Sequence, residues 1–175
     1  MKSFTISRAL PILLFLVIAA ALALSLQKDP RAIPSVLINQ PLPNISLPAL
    51  DATQPRFESS KFIGEKIVLI NVFGSWCPSC RYEHPFLMKL ANDRRITLLG
   101  IDWKDTAENA TKYLEEFGNP FAQIGFDDSS NTIINLGVTG APETFVVDTK
   151  GIVRRRITGP LTEEIWKAEV EPLLN

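Results

Sequence analysis

The chain has 175 residues, 46% of them hydrophobic and 21% charged, with a formal net charge of −1 at neutral pH. That length suits one domain with a sizeable buried core. The near-neutral balance excludes the basic surface that a nucleic-acid backbone selects, so no nucleic-acid partner is expected.

Much of the hydrophobic surplus lies at the start. Residues Ala9 to Leu26 carry no charge and follow Lys2 and Arg8. This stretch is near the lower length limit for a membrane-crossing helix and longer than an ordinary signal-peptide core. Ala21-Leu22-Ala23 resembles a signal cleavage site, but the apolar run continues past it. A retained anchor over residues 1–27 is therefore expected, with its N-terminus in the cytoplasm and the remainder of the chain outside. Pro30, Pro34 and Pro41 make residues 28–41 an extended tether. The folded domain is expected over residues 42–175.

Ile45 to Leu50 reads as a short first strand. Ile67 to Phe73 is β-branched and almost continuously apolar, as in a central strand buried on both faces. Gly74-Ser75 breaks it, and a helix is predicted from about Cys77 to Asn92, with Phe86, Leu87 and Leu90 at helical spacing. Ile96 to Ile101 is the next buried strand. Thr106 to Phe117 is a helix with a capping candidate at Thr106, ended by Gly118-Asn119-Pro120. Phe121 to Gly125 is a strand and Ser129 to Leu136 a short helix. Glu143 to Asp148 and Gly151 to Ile157 form a hairpin, and Thr162 to Leu174 a last helix. The order predicts an α/β fold with a mixed central sheet flanked by helices.

The two cysteines both stand in Trp76-Cys77-Pro78-Ser79-Cys80. So short a loop removes little entropy from the unfolded chain, which argues for reversible disulfide chemistry over stapling. A strand feeding a helix at Cys77 sets that thiol at a helix N-terminus, where thiolate is favoured, so Cys77 is the nucleophile. Cys80, one turn on, is the resolving thiol and is expected to be the more buried. Zinc needs about four ligands and the chain offers Cys77, Cys80 and His84, so no metal is expected. Haem attachment needs His after the second Cys, and Arg81 stands there.

Pro142, just before a buried strand, is either a cis-proline in a tight turn or a plain strand-initiating proline. In the first case the Ala141 backbone is exposed to pair with an extended peptide. Trp76 either shields the disulfide at a docking surface or packs, and Tyr82 and Trp103 either flank a substrate groove or pack, with packing the preferred reading.

These segments resemble the thioredoxin fold. More narrowly, Cys80-Arg81-Tyr82-Glu83-His84, Gly118-Asn119-Pro120 and Gly137 to Phe145 resemble the DsbE/CcmG proteins of bacterial cytochrome c maturation. The resemblance runs from about Leu42 to Leu174. It implies that Pro142 is cis and faces the thiols, with Trp76, Ala141 and Pro142 contacting substrate. It implies a disulfide reductase of the periplasm, anchored by an N-terminal transmembrane helix in the inner membrane and needing no cofactor. Its substrate would be the CxxCH disulfide of apocytochrome c, reached directly or through a maturation thiol protein. A DsbD- or CcdA-type membrane protein would restore the thiols. Where thioredoxin has a buried Asp, this chain has Asn71, which cannot act as a base. The resemblance shifts proton transfer to Glu83 or Glu143, for which surface salt bridges are the plainer reading.

Three other functions are weighed. One is a reductase or isomerase of broader range in the cell envelope. A second is a non-catalytic binding module, which would survive loss of both thiols. The third, a thiol peroxidase, is disfavoured because Gly74 stands where peroxiredoxins carry Thr.

Overall fold

A computed structural model describes residues 3–26 and 37–174, and the chain divides into two units, residues 1–33 and 34–175. In the first unit Ser3–Leu26 is one helix, α1, with Pro11 inside it. Its described side chains run from Leu10 to Leu22 and are exposed. Among the described residues, no helix is long and apolar enough to cross a membrane.

The second unit is built on a five-stranded sheet in the order β5-β4-β3-β6-β7. The strands are β3 (Ile67–Phe73), β4 (Ile96–Trp103), β5 (Gln123–Asp127), β6 (Glu143–Val147) and β7 (Val153–Thr158). Strands β3, β4 and β5 run parallel, while β6 and β7 are antiparallel additions on the other side. All seven residues of β3 are buried, as its apolar run predicted. Helices α2 (Pro78–Leu90) and α3 (Ala107–Phe117) cross between successive parallel strands in one direction along the sheet. Successive right-handed crossovers carry both helices to the same face. There Leu87, Leu90 and Tyr113 pack on Leu69, Phe73 and Leu98, joined by Trp166 and Val170 from the C-terminus. This is a thioredoxin-like α/β fold.

The opposite face is covered by α4 (Asn131–Asn135) and by the strand pair β1 (Ser46–Leu47) and β2 (Phe57–Glu58). Strand β2 and the 3-10 turn after it, Ser59–Phe62, carry no sequence period long enough to be read in advance. Beyond β1 the backbone continues along the edge of β5, with Leu50 N–H donating to Ile124 O at 3.0 Å and Phe126 N–H to Pro48 O at 2.9 Å. That pairing covers an otherwise open sheet edge. Gly125 is needed there, because a Cβ would meet Leu47 and Phe57 at 2.8 and 3.1 Å.

Two expectations are corrected. Residues 28–36 of the expected tether lie outside the described residues, but residues 37–41 belong to the folded unit. Asn39 N–H donates to Val153 O and Leu42 N–H to Gly151 O, both at 2.8 Å. The last helix is not uniform: α5 (Glu163–Ile165) widens into a π turn, Trp166–Val170, and tightens into a 3-10 turn, Glu171–Leu174. Pro172 has no N–H to return to the Ala168 carbonyl, so a regular α-helix cannot continue through it.

Candidate active site

Cys77 is the N-cap of α2, and its extended backbone (φ −93°, ψ 109°) lets the side chain turn back over the first helical turn. Its Sγ accepts the Cys80 N–H at 3.1 Å. Pro78 fills the first helical position, where a missing N–H costs nothing. Cys77 and Cys80 form a disulfide, with Cα atoms 5.3 Å apart. Relative exposures of 3% and 2% do not separate the two cysteines as the sequence reading expected. What separates them is position. In the reduced chain a Cys77 thiolate lies over the unpaired N–H groups and positive dipole end of α2, whereas Cys80 lies inside the first turn.

The loop before Cys77 is held from β4. Ser75 N–H donates to Asp105 Oδ2 at 2.6 Å, and the Trp76 indole N–H donates to the Trp103 carbonyl at 2.9 Å. Gly74 is required by this close approach, since a Cβ there would collide with the Trp76 indole and sit 3.0 Å from that carbonyl. Trp76 remains about half exposed at 49%. It therefore both packs, edge-on to Trp103 at 6.0 Å, and shows a face to solvent beside the disulfide.

Glu83 is 1% exposed and makes no ion pair among the described residues, so the reading of a surface salt bridge fails. Its Oε1 accepts Asn71 Nδ2–H at 2.8 Å and its Oε2 accepts the Leu161 N–H at 2.6 Å. Asn71 Nδ2 also donates to Thr144 Oγ1 at 3.0 Å, tying β3 to β6 and α2 at one point. Burial pushes the Glu83 carboxyl up to about 7, outweighing the two donors that favour the charged form. Glu83 lies three residues after Cys80, hence on the same side of α2. A carboxyl raised toward neutrality thus stands on the same helix as Cys80.

Glu143 is equally buried but differently committed. Its Oε1 accepts Thr139 N–H, Thr139 Oγ1–H and Gly140 N–H at 2.8, 2.7 and 3.2 Å. Its Oε2 pairs with Arg156 Nε at 2.7 Å, and both side chains are at most 4% exposed. Arg156 in turn donates to Gly137 O at 2.8 Å. Glu143 is thereby the clasp of the Gly137–Pro142 loop. The Ala141–Pro142 peptide in that loop is cis, and Ala141 packs against the cluster that contains Cys77 and Cys80.

Tyr82 corrects another expectation: it does not pack but stands 72% exposed on α2. Trp103 does pack, at 9%, with its indole N–H on Ser130 Oγ at 2.9 Å. His84 bonds to α3 and the segment just after it. Its Nε2 lies 3.0 Å from Gly118 O and its Nδ1 3.0 Å from the Tyr113 hydroxyl. A carbonyl can only accept, so Nε2 carries the proton and Nδ1 accepts from tyrosine. Burial lowers the His84 pKa, in keeping with that neutral form. Sequence reasoning missed Leu161 and Asp105, whose parts depend on chain segments meeting across 78 and 30 residues.

The Redoxin family model matches residues 37–174. The thiol:disulfide interchange protein DsbE of Allochromatium vinosum is 41% identical over 165 residues, covering 94% of this chain and 91% of that protein. The chain belongs to the DsbE family. The DsbE of Escherichia coli K12 is 39% identical over 169 residues, covering 94% and 91%. Among solved structures, the thioredoxin domain of a thiol-disulfide oxidoreductase from Bacteroides vulgatus superposes with a TM-score of 0.65. That match has 22% identity and covers 82% of this chain and 100% of that one, which bears on the fold alone. As a DsbE-family protein the chain is a thiol–disulfide oxidoreductase.

Proposed function

We propose that this protein is a reductant in cytochrome c assembly, reducing the CxxCH disulfide of apocytochrome c directly or through a maturation thiol protein. Cys77 attacks one sulfur of the substrate disulfide, that S–S bond breaks, and a mixed disulfide forms. Glu83 takes the Cys80 proton, and the Cys80 thiolate attacks the Cys77 sulfur. The Cys77–Cys80 bond forms, the mixed disulfide breaks, and the substrate leaves with two added electrons and two protons. Trp76, Ala141 and Pro142 contact the substrate backbone, and a DsbD- or CcdA-type membrane donor restores the thiols. Residues 1–27 hold the domain at the inner membrane, facing the periplasm.

The observation that carries the mechanism is the Glu83 carboxyl, buried, held by Asn71 and Leu161, and raised to about 7. The choice of substrate is supported by the likeness to DsbE proteins along nearly the whole chain. Trapping with Cys80→Ser tests it, because the mixed disulfide then persists. Capture of apocytochrome c or of a maturation thiol protein is expected. A reduction potential near the ≈ −120 mV of a strong disulfide-forming enzyme would overturn the reductive direction. Retention in the membrane fraction after alkaline extraction is the expected result for residues 1–27, and release would remove the anchor.

A further inference from the structure

The C-terminal end of β4 carries a carboxyl group that the exchange steps above do not use. Asp102 is fully buried, and neither carboxylate oxygen accepts a well-aligned hydrogen bond from the described residues. Alternation along β4 places it on the face of Leu98, which is also the face of Phe73, Cys77 and Cys80. In register it lies between Phe73 on β3 and Phe126 on β5. An aspartate buried between two phenylalanines is costly to ionise.

Three residues on, Asp105 is fully engaged. Its Oδ2 accepts Ser75 N–H at 2.6 Å and its Oδ1 accepts Thr106 N–H at 2.8 Å. Trp103, between the two aspartates, holds the Trp76 indole N–H through its carbonyl. The segment from Asp102 to Thr106 therefore grips both residues that immediately precede Cys77. Burial first, then the Asp105 charge and a hydrogen bond shared with the Asp105 carboxyl, raise Asp102 to about 8 against the Trp103 backbone N–H, which favours the charged form.

Other charged groups nearby are occupied elsewhere. Lys104 is exposed, with its ammonium over the Trp103 ring at 4.5 Å. Asp127 on β5 accepts Ser129 Oγ–H and the Ile133 N–H. His84 on α2 and Tyr113 on α3 bond to each other. Asp105 is the charge that acts on Asp102.

We propose that Asp102 is a positioning residue for the redox loop: while neutral it leaves the Asp105–Ser75 tie intact, and on ionising it sets two carboxylates against each other and loosens the approach to Cys77. By linkage, the charge that opposes Asp102 ionisation is itself pushed back when Asp102 ionises. The functional consequence rests on Cys77 as the attacking thiol, but the structural one does not.

The test uses the oxidised full-length chain in detergent micelles, where neither cysteine titrates. The amide resonance of Ser75 and the indole resonance of Trp76 are followed by NMR from pH 6 to 9. Both are expected to shift together in a single titration, and to stay fixed in Asp102→Asn. No movement in the wild type, the same movement in Asp102→Asn, or loss of the movement in Glu83→Gln, whose side chain does not titrate, would overturn the proposal, and the wild-type and Glu83→Gln series decide even if Asp102→Asn fails to fold. In the reduced chain, thiolate formation alone makes exchange faster as pH rises. A several-fold alkaline fall in kcat/KM for a protein disulfide, absent in Asp102→Asn, is the expected companion result. Resonance shifts without the alkaline fall in kcat/KM would count against Cys77's assignment and not against Asp102's.

Discussion

Replacing Glu83 with Gln separates the carboxyl's charge from its shape. Glu83 titrates at about 7 in the folded chain against an ordinary value of 4.5. Because the folded value is the higher, the folded state holds the proton more tightly. Glu83's contribution to stability is therefore full below about pH 4.5 and is lost as pH rises through 7. At 1.36 kcal/mol per unit, the loss is about 3 kcal/mol. Gln cannot ionise, so this dependence vanishes in the variant. It brings its own cost, because Asn71 Nδ2 and Leu161 N–H both donate to Glu83, and an amide offers only one acceptor. The donor facing its NH2 group goes unsatisfied, at about 1–3 kcal/mol at every pH. The variant should be less stable than wild type at pH 5, and the difference should move in its favour by about 2.5 kcal/mol by pH 8, since part of the loss has already occurred at pH 5. Urea unfolding of both oxidised proteins at four pH values between 5 and 8 measures this. A difference that stays flat across the range would refute the raised Glu83 carboxyl. In the exchange assay, loss of the proton acceptor should slow disulfide release on the order of 10²-fold and remove the acid limb near neutrality.

Glu143→Gln leaves the buried Arg156 guanidinium without its counter-charge, so about 3–5 kcal/mol of stability should be lost in urea unfolding, with no selective change in the pH profile of exchange. Gly74→Ala drives a methyl group into the Trp76 indole, and its cost should be about 1–3 kcal/mol, with loss of the downfield indole N–H resonance as the direct sign. Tyr82→Ala removes an exposed ring that touches no core, so stability should stay within about 0.5 kcal/mol while KM for a protein disulfide rises and that for a small disulfide does not.

The central strands were legible because burial on both faces leaves an uninterrupted apolar run, and β3 matches its run residue for residue. Helix α3 was legible from its ends: Thr106 Oγ1 caps it by accepting the Asn109 N–H, and Gly118 leaves it at φ 89°. The burial of Glu83 was written in the sequence but masked by charge. Cys80, Glu83, His84, Leu87 and Leu90 all lie on the buried side of α2, at spacings of three and four residues. A glutamate on that stripe had to be buried, whereas Tyr82 and Pro85 fall off it and are exposed. Glu143 was not legible as a clasp, since its match with Arg156 depends on the β6–β7 register. Asp102 hides within an apolar strand, and nothing local marks its nearness to Asp105.

Asn71 shows how the site divides its labour. A carboxylate on β3 would have both its place and its proton affinity set by the sheet. In this chain the strand supplies an amide and the helix supplies the acid. Glu83's distance from Cys80 follows from three residues of α-helix, so it is fixed locally and survives small shifts of the sheet. Its proton affinity is set by groups distant in sequence: Asn71 on β3, itself anchored to Thr144 on β6, and the Leu161 N–H after β7. Those segments meet only when the whole domain is folded. An acid near neutrality one helical turn from Cys80 is thus a property of the folded domain, whereas the redox motif is a property of five consecutive residues. The same separation holds on the other side of the disulfide, where Cys77's helix end is local but the loop leading to it is tied down by Asp105 and Trp103 from β4.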